Sequence, residues 1–361
     1  MAYLPLSTAN LPDPAIDPAQ GSSPADYFNT VLYSGDNTSP RSITGVGFDP
    51  EFVWVKNKTS GSYGHYLWDV VRGTDKNLRS DGTFTEAAVS AASNGIVSTN
   101  TTDGFITKAG SSGSNNVNGT GGTYVAWNWK ANGSGVSNTD GSITSTVSAN
   151  TESGFSIVTW NGSTFSAGAT VGHGLTQAPE MIIPKNRGDV GSWHCYHSAL
   201  GGTKGILLNS TNAASTDAGF WNNTNPTDDV FTVGTYNVFD YDYVAYCFHS
   251  VEGFSKFGSY TGNGSTDGPF VYCGFRPSFV LIKRTDSTGA WIIKDSARDT
   301  DNVVTQTLQP NTSNAESDDN HLDFLSNGFK CRLAQANTNA SGGTYIYACF
   351  SENPFKYSNA R

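Results

Sequence analysis

Short apolar runs, separated by stretches rich in glycine, serine, threonine and asparagine, dominate the hydrophobic pattern of this chain. In one of them, FVWVK at 52–56, Phe52 and Trp54 point to one side of an extended strand and the two valines point to the other. A strand that is apolar on both faces is buried on both faces. We therefore predict a central strand whose outer face is covered by another layer, a neighbouring repeat or another subunit.

The same run occurs in three related segments. GFDPEFVWVK at 47–56 matches GFRPSFVLIK at 274–283, and PEMIIPK at 179–185 aligns with both. An aromatic–x–Gly turn precedes each copy, and a β-prone stretch closes each copy. The closing stretches are TYVAWNW (123–129), DYVAYCF (242–248) and TYIYACF (344–350). This spacing predicts three homologous units of ~100 residues, a common size for a β-sandwich.

The predicted fold class is all-β, with three tandem antiparallel β-sandwich repeats. We expect these repeats at 27–133, 154–252 and 253–361. Residues 1–26 contain five prolines and predict an extended arm that is free or lies along a partner. The segment 134–153 is rich in Gly, Ser and Thr and predicts a linker or a long surface hairpin.

Composition agrees with a turn-rich β protein. Of 361 residues, 40 are glycine and only 14% are charged, and glycine, serine, threonine and asparagine favour turns over long helices. FTEAAVSAAS at 84–93 is the one stretch with a helical pattern. The net charge of −10, without a basic cluster, argues against nucleic-acid binding. No apolar run approaches the ~20 residues that span a bilayer, and the N-terminus does not resemble a signal peptide.

The cysteines predict a protein that folds in a reducing cytoplasm. Their number is odd and no CxxC spacing occurs, so neither a disulfide framework nor a zinc site is expected. We predict free, mostly buried thiols. The five are Cys195, Cys247, Cys273, Cys331 and Cys349.

The sequence lacks the common catalytic motifs. It has no GxSxG elbow, HExxH helix or phosphate-binding glycine loop. Asp69 with Arg72 recurs as Asp295 with Arg298 in another copy. Because arginine stays charged, an Asp–Arg couple is poorly suited to acid–base catalysis. We predict that both pairs are structural ion pairs at strand ends.

Metal and ligand candidates are few. His194 and His197 lie at i, i+3 on a predicted strand, face opposite sides and cannot share a metal. The aromatic residues Trp193 and Trp221 are candidates for stacking on sugar rings, although core positions explain them equally well. Clustered carboxylates make calcium the one cofactor to consider, while no single loop holds a complete ligand set. The calcium candidates are Asp240, Asp242, Asp318 and Asp319.

Several long segments together resemble a family of virion proteins from tailed bacteriophages of marine bacteria, of the cyanophage and pelagiphage type. These segments include SSPADYFNTVLYSG, ITGVGFDPEFVWVKN, VEGFSKFGSYTGNGSTDGPFVYCGFRPSFVLIKR and SENPFKYSNAR. The resemblance covers 22–361 and implies a non-enzymatic, tail-fibre-like structural component with jelly-roll or lectin-like repeats. It implies no catalytic or binding residues.

Two functions fit this resemblance. The first is a surface adhesin on the tail or fibre that contacts host glycans. The alternative is a capsid decoration or head-fibre subunit, with the proline-rich arm as its anchor and other virion proteins as its partners. A glycan-degrading enzyme is a third reading, although no paired carboxylates stand out. We expect a virion location and a homotrimer, because the doubly apolar strands need an outer cover.

Overall fold

The computed structural model describes residues 11–89, 95–99, 102–108, 116–162, 166–237 and 241–358. In these ranges the protein consists mainly of β-strands, and every ladder between named strands is antiparallel. The α-helices are single short turns, α1 (Ala218–Trp221) and α2 (Ala336–Asn339). The all-β prediction is therefore confirmed.

Residues up to 129 form the first unit, which we call unit 1. Its strands are β1 (Phe28–Ser34), β2 (Arg41–Ile43), β3 (Phe52–Asn57), β4 (His65–Asp69), β5 (Lys76–Arg79), β6 (Ala87–Ala88), β7 (Gly95–Thr99), β8 (Phe105–Lys108) and β9 (Thr123–Trp129). The main sheet has the order β1-β9-β3-β4-β5-β6, and a small sheet has the order β2-β8-β7. The helical pattern at 84–93 is not realised in its described part, where β6 forms instead. Residues 90–93 lie outside the described residues.

Unit 2 follows and contains the largest sheet. Its strands are β10 (Val136–Asn138), β11 (Ser145–Asn150), β12 (Phe155–Asn161), β13 (Thr170–Gly172), β14 (Met181–Asn186), β15 (His194–His197), β16 (Lys204–Leu207), β17 (Ser215–Thr216), β18 (Val230–Thr232) and β19 (Asp242–Phe248). The main sheet runs β10-β11-β12-β19-β14-β15-β16-β17, and β13 pairs with β18. The segment 134–153 is thus a hairpin continuous with this sheet, not a free linker, and it buries Ile143 and Val147.

Unit 3 completes the chain. Its strands are β20 (Ser255–Thr261), β21 (Phe270–Tyr272), β22 (Phe275–Arg284), β23 (Ile292–Asp295), β24 (Val304–Thr307), β25 (Ser317–Leu325), β26 (Gly328–Cys331) and β27 (Thr344–Pro354). The two sheets have the orders β20-β27-β22-β23 and β21-β26-β25-β24. The order of the first sheet repeats that of β1-β9-β3-β4 and β12-β19-β14-β15.

The aromatic–x–Gly turns contribute the same contact to each unit. Tyr33 stacks on Tyr124 with ring centroids 5.0 Å apart. The equivalent pairs, Trp160–Tyr243 and Tyr260–Tyr345, stack at 5.2 and 4.9 Å. Glycine is needed after the aromatic residue because the chain passes close to another backbone. A Cβ atom on Gly35 would lie 2.0 Å from the carbonyl oxygen of Gly119.

The two faces of each main sheet enter different cores. In β3, Val53 and Val55 pack toward the small sheet of unit 1. Phe52 and Trp54, on the other face, enter a central cluster to which all three units contribute. Met181 and Ile183 of β14 and Phe279 and Leu281 of β22 reach the same cluster. The cover found in the structure is therefore a neighbouring unit. The apolar faces no longer argue for a second subunit, and the homotrimer stays a prediction.

Aromatic contacts between units fill the central cluster. Phe52 of unit 1 stacks on Tyr246 of unit 2 with centroids 4.1 Å apart. Trp129 of unit 1 meets Phe350 of unit 3 edge-on at 5.6 Å, and Phe248 of unit 2 meets Phe350 at 5.9 Å. A cavity of about 20 Å³ with a wholly apolar lining remains at the centre. The three units thus share one interior, because each uses the others to bury its aromatic face.

Equivalent main-chain hydrogen bonds close the units into a ring. The amide of Glu86 donates to the carbonyl of Arg187 at 2.9 Å, joining unit 1 to unit 2. Ala214 donates to Thr285 at 2.9 Å, joining unit 2 to unit 3. Glu316 donates to Lys58 at 2.8 Å, joining unit 3 back to unit 1.

The described part of the N-terminal arm packs on its own chain. Ile16 is fully buried and belongs to the central cluster. The hydroxyl of Tyr357 donates to Asp17 at 2.6 Å, and Lys356 pairs with Asp13. The expectation of an extended arm that is free or lies along a partner is therefore wrong for 11–26, since burial of Ile16 and these polar contacts hold the segment in place. Residues 1–10 lie outside the described residues.

Candidate functional site

The two predicted ion pairs form, and both are buried at unit boundaries. Arg72 Nε lies 2.5 Å from Asp69 Oδ2, and neither side chain is exposed. The hydroxyl of Tyr246, from unit 2, also donates to Asp69 at 2.8 Å. Because the carboxylate is saturated by partners and closed to solvent, this pair is structural.

The second pair occupies the equivalent boundary. Arg298 Nε lies 2.6 Å from Asp295 Oδ2, again without exposure, and Trp127 of unit 1 donates its indole N–H to the same carboxylate. In unit 2 this position is His197, whose Nε2 lies 3.2 Å from the carbonyl of Tyr347 in unit 3. Burial lowers the pKa of His197 to about 4, so the imidazole is neutral.

The metal candidates do not converge. The partners of His194 and His197 are Asn237 and Tyr347, which lie in different units. Asp242 accepts from Asn161, whereas Asp318 pairs with His321 in another unit. Asp319 accepts from its neighbour Asn320. Asp240 lies outside the described residues, and the described ranges contain no group of three His, Cys, Asp or Glu residues that could hold a metal.

The two tryptophans proposed for sugar stacking are core residues. Trp193 belongs to the central cluster, and its indole donates to the carbonyl of Arg79 across the boundary to unit 1 at 2.9 Å. Trp291 makes the equivalent bond to Leu207. Trp221 is buried against Tyr196. Neither Trp193 nor Trp221 has a ring face open to a ligand, so their proposed binding role is wrong.

An aromatic cleft lies on unit 1 instead. Tyr66 of β4 and Arg79 of β5 are paired across the two strands next to the edge strand β6, and the loop before β6 brings Phe84 over Arg79. The cleft has a volume of about 300 Å³. The residues around it are Tyr66, Asn77, Arg79, Phe84, Thr85, Ala87, Ala88, Val89 and Asn116.

A stacked guanidinium organises this cleft. Arg79 Cζ lies 4.2 Å from the ring centre of Phe84 and 5.8 Å from that of Tyr66. Asp81 fixes Arg79 through two bonds, 2.6 Å to Nη2 and 3.2 Å to Nε. Nη1 has no partner among the described residues. Burial raises the pKa of Tyr66, against the opposing charge of Arg79, so its hydroxyl stays protonated.

Contacts with unit 2 hold the loop that carries Phe84. Glu86 binds Arg187 through two bonds of 2.9 and 3.0 Å and also pairs with Arg72 at 3.1 Å. The amide of Gly191 donates to the carbonyl of Thr83 at 3.0 Å. The cleft is therefore organised before a ligand arrives, which lowers the entropic cost of binding.

The equivalent surfaces of the other units are covered. His194 takes the position of Tyr66 in unit 2, where Tyr236 stacks on it with centroids 5.0 Å apart. Phe220 of α1 fills the space above Gly205, whose Cβ would lie 2.2 Å from that ring. In unit 3 the position is Ile292, a core residue. The open aromatic cleft thus belongs to unit 1.

Sequence reasoning missed Arg79 and Phe84. Phe84 is 45% exposed, and its segment reads SDGTFTE, in which a single phenylalanine stands among polar turn residues. That isolation is the available signal, because a core strand would place a second apolar residue two positions away. The sequence around Arg79 does not predict its stacking, because the two aromatic rings that it contacts lie 13 residues before it and five after it.

The fold defines an all-β protein of antiparallel sheets, and unit 1 carries an open aromatic cleft. The chain belongs to the family described as DUF7483, a domain of unknown function, whose match covers residues 23–354 in one stretch. No curated protein and no solved structure matches the chain. The family match includes strands of all three units, which agrees with their shared interior. Among the described residues, no helix is long and apolar enough to cross a membrane.

Proposed function

We propose that this chain is a non-enzymatic structural protein of a bacteriophage particle, and that it attaches to host glycans through the cleft of unit 1. The sequence resemblance supports the virion role, and the single observation that supports glycan binding is the stacked set of Phe84, Arg79 and Tyr66. Within this proposal the three units are lectin-like β-sandwiches of the jelly-roll kind.

The cleft offers what a pyranose ring requires. One ring face of Phe84 is available for the apolar face of a sugar, since this side chain is 45% exposed. Nη1 of Arg79, which no described residue engages, and the hydroxyl of Tyr66 are donors for sugar hydroxyl groups. A concave, largely apolar site with a few fixed polar groups is the usual form of a small-molecule site.

The charge balance favours a neutral sugar. The charge of Arg79 is already matched by Asp81, whose Oδ2 lies 2.6 Å from Nη2. An acidic sugar would therefore meet no uncompensated positive charge among the described lining residues. Neutral hexoses are the proposed ligand class.

The lining does not suggest glycan cleavage. Glycosidases generally place two carboxylates on either side of the scissile bond. The described residues that line this cleft include no Asp or Glu, and Asp81 behind them is held by Arg79 and by the amide of His65. This arrangement supports binding without turnover.

Binding to isolated host-surface glycans tests the proposal. The full chain should bind neutral polysaccharide, the same protein should label host cells, and excess neutral oligosaccharide should displace it. Imaging of the particle should place the protein on the tail or fibre. Binding to host cells that no glycan displaces would contradict the cleft assignment, and many copies on the capsid lattice would support a decoration role instead.

A further inference from the structure

Two buried cysteine side chains of unit 3 lie in contact. Sγ of Cys273 is 3.3 Å from Sγ of Cys349, although 76 residues separate them. Cys349 sits in β27, the middle strand that pairs with both β20 and β22. Cys273 sits in the short connection between β21 and β22, where its amide donates to the carbonyl of Asn327 at 2.9 Å. Both sulfurs belong to the core between the two sheets of unit 3.

The two thiols differ in their access to solvent. Cys273 is 5% exposed, whereas each of the other four cysteines is 0% exposed. Its chain neighbours Tyr272 and Gly274 line a cavity of about 80 Å³ that also touches Pro12 and Pro14 of the arm. This cavity adjoins Cys273 and has room for a molecule as small as hydrogen peroxide, and the sulfur of Cys349 is in contact with that of Cys273.

We infer that Cys273 and Cys349 form an internal oxidation site, in which a hydroperoxide converts the thiol pair to a disulfide in the folded protein. The sulfur of Cys273 attacks one peroxide oxygen, the O–O bond breaks and the sulfenic acid forms. The departing oxygen takes up the thiol proton and leaves as water. The sulfur of Cys349 then displaces the hydroxyl group of that sulfenic acid, and a second water leaves. Two thiols and one peroxide thus yield one disulfide and two waters.

The reaction requires little movement. A disulfide sets the sulfurs ~2.05 Å apart, and the existing separation of 3.3 Å exceeds this by 3.3 − 2.05, about 1.3 Å. Cys349 is 0% exposed whereas Cys273 is 5% exposed, so oxidant reaches Cys273 first and Cys349, in contact with it, is the resolving group. Burial also raises the pKa of the Cys349 thiol, which slows its direct reaction with oxidant. The cross-link would tie β21, the three-residue edge strand of its sheet, to the middle of the neighbouring sheet.

This site goes beyond the proposed attachment role. A chain that folds with free thiols in a reducing cytoplasm would gain the cross-link once it leaves the cell, because glutathione no longer keeps the pair reduced. The modification would then stabilise unit 3 in the released protein and leave the cleft of unit 1 untouched.

Peptide mapping after oxidation of the folded protein tests the inference directly. The reduced full chain is treated with hydrogen peroxide, quenched with catalase and unfolded in iodoacetamide. Alkylated thiols should fall from five to three, and a peptide that joins Cys273 to Cys349 should appear. Hydrogen exchange of β21 should slow in the oxidised protein.

Single variants separate the two roles. C349A should lose the cross-link but trap the sulfenic acid of Cys273, which dimedone labels. After peroxide treatment, C273S should retain all four of its thiols. The control C195S removes a buried cysteine of unit 2 and should still form the cross-link. If wild-type protein retains five thiols, or if Cys273 advances to sulfinic acid without the joined peptide, the inference is wrong.

Discussion

The indole N–H of Trp127 donates a hydrogen bond of 3.0 Å to the carboxylate of Asp295, although 168 residues separate the two along the chain. The bond crosses the boundary at which unit 3 returns to unit 1. Asp295 also holds Arg298, whose side chain is fully buried. Ring closure therefore depends on a buried charge and its partners as well as on aromatic packing.

Removing this carboxylate should destabilise the whole ring. D295A leaves Arg298 buried without its closest counter-charge and leaves Trp127 without an acceptor, so we expect a loss of about 3 kcal/mol or more in the free energy of unfolding. D323A is the control, because its partner Arg332 is 42% exposed at the side chain, and such pairs contribute roughly 1 kcal/mol or less. Guanidinium unfolding measures both. Equal losses in the two variants would contradict a special role for the boundary pair.

The cleft should lose affinity when its exposed ring is removed. F84A should weaken neutral-glycan binding about tenfold, equivalent to ~1.4 kcal/mol, with little change in stability because the ring is half exposed. Phe270 is matched in exposure, 46% against 45%, but lies in β21 of unit 3. F270A should therefore leave the affinity unchanged. If both variants bind like the wild type in calorimetry, the ligand does not contact Phe84.

Two buried lysines should give unfolding stability a specific pH dependence. Burial lowers the pKa of Lys294 to about 7, aided by the charge of Arg298, and three nearby aspartates act in the opposite direction. Its ordinary value is 10.5, so the unfolded chain binds more protons than the folded protein from pH 7 to 10.5. Stability gained from this group therefore rises with pH across that window.

Comparison with K294M isolates the effect. Relative to this variant, wild-type protein should gain about 1.4 kcal/mol for each pH unit above 7. Lys56 is the internal standard, because burial lowers its pKa only to about 8. The stability gain of the wild type relative to K56M should therefore begin about one pH unit higher. Urea unfolding from pH 6.5 to 9.5 measures both slopes. Curves that start together would show that the two ammonium groups are equally buried.

The aromatic–x–Gly turn should not accept a side chain. In G35A the new methyl group would meet the carbonyl oxygen of Gly119 at 2.0 Å and the ring of Tyr124 at 2.9 Å, and we expect a cost of about 2 kcal/mol or more. G61A is the matched control, since its nearest contact is an ordinary 3.6 Å. In thermal unfolding, the melting temperature of G35A should lie several degrees below that of G61A. A stable G35A would show that the turn can move away.

The continuous apolar runs were enough to predict the central strands and their two buried faces. Phe52 and Trp54 do point to one core, with Val53 and Val55 in another. The pattern could not decide what covers the outer face, because a second layer, another repeat and another subunit all demand the same apolar side chains. The Gly- and Ser-rich composition of 134–153 fitted both a linker and a surface hairpin. The burial of Val147 in the sheet, which only the structure shows, decides for the hairpin.

The cleft was harder to predict because residue type does not report exposure. Trp193 stands in a polar loop sequence, yet the strand that follows carries it into the central cluster. Phe84 stands in a similar sequence and remains half exposed, because its loop is held away from the core by Glu86 and Arg187. Contacts between distant parts of the chain make this difference, and a local pattern does not contain them.

The stacking of Phe28 on Phe350, with ring centroids 5.0 Å apart, has a consequence for synthesis. The ribosome must add 350 − 28 = 322 residues after Phe28 before Phe350 exists. At ~5–20 residues per second this takes on the order of half a minute. Once residue 248 has been added, the nascent chain carries the strands of two main sheets whose aromatic faces are still uncovered, a surface on which chaperones act. A chain truncated before the third unit would leave the aromatic faces of units 1 and 2 exposed, so we expect such a fragment to aggregate.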